Sequence, residues 1–180
     1  MKRKISVGLA SAGALSLMMA VATPASAAIT QYSATLSNAG EPVSGSPGSG
    51  TALVTLDDVL SNVTVHVTFQ DLTANASAGH IHCCTTVPGA GSIGVAQGFA
   101  GFPAAKSGTY DQTFTLAAAS FTSLATGIAA GKAYVNIHSP GTFSAGEVRG
   151  FLAPVPEPET YALMLAGMGV LGLAARRRRG

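Results

Sequence analysis

Val63-Thr64-Val65-His66-Val67-Thr68-Phe69-Gln70 alternates without a fault: every odd position is apolar and every even position polar. Successive side chains of an extended chain point to opposite faces, so this stretch predicts a strand with one dry face and one wet face. Working outward, residues 31–37, 51–56, 79–83, 108–116, 132–138 and 146–152 show the same habit less strictly. Turn-forming material separates them: residues 40–50 are rich in Gly, Ser and Pro, and Asp57-Asp58 stands before the Val63 strand. Residues 117–130 differ, being Ala-rich with Phe121, Leu124 and Ile128 at helical spacing, and predict a short helix or irregular crossover. Residues 85–103 carry Gly89, Gly91, Gly94, Gly98 and Gly101, with no helix pattern after them. That excludes a phosphate-cradling loop and reads as a flexible insertion at the mouth of the domain. Seven short strands with turn signals predict an all-β fold, an antiparallel β-sandwich or barrel.

The chain has 180 residues, of which 47% are hydrophobic and 10% charged, with a formal charge of +2. This composition is too apolar for a disordered chain. The positive charge is confined to the ends: Lys2, Arg3 and Lys4 at one, Arg176, Arg177, Arg178 and Arg179 at the other. Residues 28–155 hold three basic residues (Lys106, Lys132, Arg149) against six acidic ones (Glu41, Asp57, Asp58, Asp71, Asp111, Glu147), a balance of −3. Without a basic patch this body is not a nucleic-acid binder.

Both ends read as addresses. Residues 1–27 predict a signal helix: a basic start, an apolar stretch from Ile5 to Ala22, Pro24, and a small-x-small pattern at Ala25-Ser26-Ala27. The partners this implies are the Sec machinery and a signal peptidase cutting after Ala27. Residues 155–180 begin with Val155-Pro156-Glu157-Pro158-Glu159, continue through apolar residues 161–175, and end on the four Arg. Those apolar residues would make a short hydrophobic helix of roughly 22 Å, below the ~30 Å of a bilayer core. With snorkelling flanks it predicts transient membrane anchorage, the Arg cluster inside and the body outside. Pro156, Glu157 and Pro158, then a short apolar helix, then Arg176 to Arg179, resemble the PEP-CTERM sorting signal of Gram-negative bacteria. The resemblance implies an exosortase as processing partner. It also implies delivery to the cell surface or to an extracellular matrix, where polysaccharide is the expected partner.

The body between, residues 28–154, carries a second resemblance. Ala78-Gly79-His80-Ile81-His82 and Ala133-Tyr134-Val135-Asn136-Ile137-His138, the latter followed by Gly146-Glu147-Val148-Arg149-Gly150, are similar to the CHRD (chordin) domain. Tyr32-Ser33-Ala34-Thr35-Leu36 and Gly50-Thr51-Ala52 fit the same pattern. The family implies an immunoglobulin-like β-sandwich and no single established activity. Cys83-Cys84 departs from it, standing where many members have small or Gly-rich residues.

Strand alternation puts His80 and His82 on one face, and Tyr134, Asn136 and His138 on one face of another strand. Residues 132–138 and 146–152 should form a hairpin, with Glu147 and Arg149 sharing a face. If the His80 strand lies beside that hairpin, three imidazoles converge. With Glu147 or a water they would suit Cu or Zn. The bland alternative gives these His structural hydrogen bonds on a polar sheet face, with Glu147 paired to Arg149 or to an imidazole. His66, on a regular polar face, is expected to be solvated. Cys83 and Cys84 have no other Cys to pair with. Three states are open to them: thiols binding Cu(I) with His82, a vicinal disulfide, or bridges between molecules. Catalytic motifs are weak. No Gly-x-Ser-x-Gly elbow precedes a helix, and Asp57-Asp58 would point to opposite faces of any strand. The reading is an exported, exosortase-processed domain with a structural or adhesive role and no enzymatic one. A Cu- or Zn-binding module is the alternative, and a metal-dependent redox enzyme is more remote.

Overall fold

The computed structural model describes residues 29–156 and 165–168. The signal segment with Ala25 and Ala27, and Glu157, Pro158 and Arg176 to Arg179 of the sorting segment, lie outside the described residues. Among the described residues no helix is long and apolar enough to cross a membrane.

The strands are β1 (Ile29–Ser37), β2 (Ser49–Asp57), β3 (Asn62–Gln70), β4 (Ala78–Cys83), β5 (Val95–Gly98), β6 (Gly108–Thr115), β7 (Ala133–His138), β8 (Val148–Phe151) and β9 (Ala153–Pro154). A helix, α1 (Ala118–Ala129), links β6 to β7. The strands form a single sheet in the order β5-β4-β7-β8-β1-β2-β3-β6, with β9 on β1, and every pairing is antiparallel. The fold is thus all-β: one antiparallel sheet curled into a half-barrel. β1 and β8 meet at one register pair, Ser37 with Arg149. On either side of that junction the sheet presents its apolar face to a single core. Leu36, Val54, Val63, Val65 and Val67 come from one half, and Ile81, Val135, Ile137 and Val148 from the other. Each such side chain, fully buried, stabilises the fold by roughly 1.5–3 kcal/mol.

The strict alternation of β3 is realised as written: Val63, Val65, Val67 and Phe69 point inward. Asp57 closes the preceding turn, its Oδ1 accepting from the amides of Val59 and Leu60 at 3.0 and 2.9 Å. The helix buries Phe121, Leu124 and Ile128, the three residues at helical spacing. It ends at Gly131, whose φ of +67° suits a residue without a Cβ and whose amide donates to Ile128 O.

Two expectations are corrected. The segment 85–103 is not wholly an insertion, because Val95–Gly98 pairs with β4 as an edge strand. Four mostly exposed residues ending in glycine leave no alternation to read, and the free edge of β4 supplies the register. The second arm of the hairpin starts at Val148 and not at residue 146. Gly146 has a φ of +143°, so the chain turns there, and Glu147 enters the ladder only through its amide, which donates to Ile137 O at 2.8 Å.

Candidate metal centre

β4 and β7 are neighbours, and their register sets Ala78 opposite His138, His80 opposite Asn136 and His82 opposite Tyr134. His80, His82, Tyr134, Asn136 and His138 therefore share the face turned away from the core, since Ile81, Val135 and Ile137 occupy the other. His138 sits two residues along β7 from Asn136, the partner of His80. The diagonal brings their ring centroids to 5.0 Å, with His80 and His82 at 5.6 Å. One ring nitrogen from each of the three lies within 4.8 Å of the others.

Loops cover this face. His82 Nδ1 hydrogen-bonds to Ile93 O at 2.7 Å, and His138 Nδ1 to Ser144 O at 3.0 Å. A carbonyl can only accept, so each Nδ1 carries the proton and leaves the Nε2 lone pair free. Both Nε2 atoms are buried without a partner, as is Nδ1 of His80. The His82 ring stacks flat on Tyr134 at 4.7 Å, and the Arg149 guanidinium sits 5.2 Å from the centre of that tyrosine. Arg149 Nη1 donates to Ser92 Oγ at 3.0 Å and to Gly91 O at 3.3 Å, holding the 85–94 loop down.

Protonation is disfavoured. Burial, and then the neighbouring His138 and His82, push the His80 imidazole down to about 4. Burial likewise lowers His82, against the upward pull of its bond to Ile93. Unprotonated ring nitrogens, brought together and left unpaired, are what a borderline metal ion needs. Carbonyls fixing the opposite nitrogen of a metal-binding histidine are the usual outer support.

Glu147 does not join them. Its carboxylate is fully buried elsewhere, Oε1 accepting from Ser46 Oγ and Thr73 N, both at 2.6 Å. Nor does it pair with Arg149, whose Nε lies 3.9 Å from Glu41. The cause is the turn at Gly146, which takes residue 147 off the face that Arg149 occupies. Burial would raise the Glu147 pKa, but Ser139, Ser46 and Thr73 more than reverse this and hold it low.

The sulfurs of Cys83 and Cys84 are bonded to one another. Cys83 follows His82 in the strand and packs against the core, on the opposite side from the imidazoles. The disulfide rests on α1 at Gly127, where a Cβ would fall 2.1 Å from Cys84 Sγ and 2.2 Å from Cys83 Sγ. A cavity of about 610 Å³ beside it is lined by both Cys, Gln97, Leu116 and Ser123, and by none of the three His. His66, expected to be solvated, is half-exposed and paired with Asp111, its register partner on β6.

Sequence reasoning placed the three histidines and missed their supports. The carbonyls of Ile93 and Ser144 leave no mark in a sequence, because any residue has one. Asn136 was visible in the Tyr134-Asn136-His138 alternation but carried no ligand signal of its own.

Residues 32–152 match the CHRD domain, and residues 154–179 match the PEP-CTERM protein-sorting motif. A search of curated proteins finds no match.

Proposed function

Because the chain belongs to the CHRD domain family and carries a PEP-CTERM sorting motif, we propose that it is a metal-holding binding domain, not an enzyme, working outside the cell. The motif makes it an exported, exosortase-sorted protein, secreted or on the cell surface of a Gram-negative bacterium. The metal reading rests on one observation: three imidazoles that each bring a ring nitrogen within 4.8 Å of the others, and that each hold a buried ring nitrogen without a partner. If these histidines were only structural, their second nitrogens would bond to the sheet or to the loops. A buried polar atom left unpaired costs about 1–3 kcal/mol, and three on one spot point to a missing partner. His80, His82 and His138 would hold the ion, and Zn²⁺ or Cu²⁺ fits three imidazoles. Bound there, the ion would tie the 85–94 and 139–147 loops to the sheet through His82 and His138. That would serve the wider structural or adhesive role, with extracellular polysaccharide as its partner.

The test is metal content by mass spectrometry on protein exported from its full coding sequence and purified without a His tag. A His80→Ala/His82→Ala/His138→Ala variant is run beside it. About one Zn or Cu per chain is expected, lost in a variant that still folds. No metal after incubation with either ion overturns the reading.

A further inference from the structure

We infer that Asn136 is a fourth donor, its side-chain oxygen completing a site of three nitrogens and one oxygen for a divalent ion. The inference rests on the metal reading above. Asn136 is buried, 2% exposed, and stands directly across from His80 on the face that carries the imidazoles. Its Nδ2 donates to Glu41 Oε1 at 2.8 Å. A carboxylate facing the amide fixes which end is nitrogen. Glu41 stands on the β8 side of Asn136, because its carboxylate also lies 3.9 Å from Arg149 Nε, and Arg149 is the β8 register partner of Asn136. With the nitrogen held toward β8, the oxygen turns toward β4 and His80. That oxygen, Oδ1, is buried and has no hydrogen-bond partner.

Four of the six buried, unpartnered side-chain atoms among the described residues are thus His80 Nδ1, His82 Nε2, His138 Nε2 and Asn136 Oδ1, all from this one face. Unpaired buried polar atoms are rare in folded proteins, so four from one face share one cause. An ion answers all four at once: His82 Nε2, His138 Nε2 and Asn136 Oδ1 each offer a lone pair, and His80 Nδ1 does so with its proton on Nε2. A single water could donate only two bonds, so it could not answer the two Nε2 lone pairs and the amide oxygen together. The donor set also selects the ion. Three imidazoles and a neutral amide oxygen suit Zn²⁺ or Cu²⁺, whereas Cu⁺ prefers soft sulfur. The sulfurs of Cys83 and Cys84 are bonded to each other, and Cys83 lies across the sheet.

The experiment uses exported, untagged protein, stripped of metal and titrated with Zn²⁺ and Cu⁺ against chromophoric competitors. The Cu²⁺ form is read by EPR. Asn136→Leu, Asn136→Ala and Asn136→Gln are compared with the parent, and the melting of each metal-free protein reports its fold. Asn136→Gln keeps the amide but moves its oxygen by one methylene, and it carries the test with Asn136→Ala should the leucine prevent folding. The expected result is a Zn²⁺ affinity lower by at least roughly 10-fold, the smallest loss typical when even an outer support of a metal site is removed. The Cu²⁺ hyperfine pattern should shift as well, while Cu⁺ affinity moves less. Unchanged Zn²⁺ affinity and an unchanged spectrum in folded Asn136→Ala overturn the inference and leave the three-histidine reading standing. A parent protein that binds neither Zn²⁺ nor Cu²⁺ overturns both.

Discussion

The outward face of β3 and the outward face of β4 and β7 are built from the same kind of sequence, and they end as different objects. On β3 the outward residues are Thr64, His66 and Thr68, each paired with a polar side chain on a neighbouring strand: Thr113 at 2.9 Å, Asp111, and Thr51 at 2.8 Å. Water reaches all of them. On β4 and β7 the outward residues are His80, His82, Tyr134, Asn136 and His138, and three loops lie across them. Alternation makes a face polar; only what folds over that face decides whether the polarity is solvated or concentrated. A histidine on the open face is satisfied by a neighbour and by solvent. Three under cover lose water and keep unpaired nitrogens, and that is the physical origin of a candidate site.

The sharpest way to break this contrast is to remove the cover. The 38–48 loop, which brings Glu41 to Asn136, is pinned from beneath by Glu147. The carboxylate takes Ser46 Oγ and Thr73 N, and Asn38 Nδ2 donates to Glu147 O at 2.7 Å. Glu147→Ala strands Ser46 Oγ and Thr73 N and opens a cavity, so a loss of about 3–5 kcal/mol is expected in denaturant unfolding. Weaker metal uptake should accompany it. The milder Glu147→Gln isolates the charge. Glu147 is held below its ordinary 4.5, so its contribution is present above that pH and is lost as pH falls through the lower folded value. Stability measured from pH 6 down to pH 2 should therefore fall less steeply in Glu147→Gln than in the parent. A parent and variant with parallel acid limbs would show that the carboxylate does not hold the loop.

A smaller effect is expected at the disulfide, on the inner side of the covered half. Glycine within a helix costs about 1 kcal/mol against alanine, so an ordinary Gly→Ala change in α1 would stabilise. Gly127 should do the reverse. The alanine Cβ would overlap both sulfurs, and overpacking of this kind costs roughly 1–3 kcal/mol. Thermal melting of Gly127→Ala with the disulfide intact checks the sign. A rise in melting temperature would mean that the disulfide is not seated on the helix. Mass spectrometry after alkylation without reductant checks the disulfide itself, and neither Cys should be labelled.

How much of this was legible follows from the range of each signal. β3 could be read residue by residue because its alternation is local and complete. α1 could be read from Phe121, Leu124 and Ile128, again a local period. β5 could not, since Val95–Gly98 is a strand only because β4 offers it an edge. At the site, strand period alone put His80 with His82 and Asn136 with His138. Bringing the two pairs together required the β4–β7 pairing, which joins residues about 55 apart and has no local trace. Glu147 was placed on the wrong face for a related reason. Period-2 counting assumes that the strand is unbroken, and Gly146 breaks it.

The least effect should come from the open face, and a null there is informative because His66 is the one histidine outside the cluster. His66 and Asp111 lie across a strand pair, with side chains 45% and 69% exposed. A hydrogen-bonded pair this wet contributes at most about 1 kcal/mol, because both groups are nearly as well solvated apart. His66→Ala should therefore shift the unfolding free energy by less than about 1 kcal/mol. It should leave metal uptake unchanged, whereas His138→Ala, also a single imidazole on an outward face, should lower it more than the ~100-fold at which outer-support losses end. Equal losses of metal from the two variants would mean that the histidines bind as scattered surface ligands, and the distinction between a covered and an open face would fail at the point where it has the most to explain.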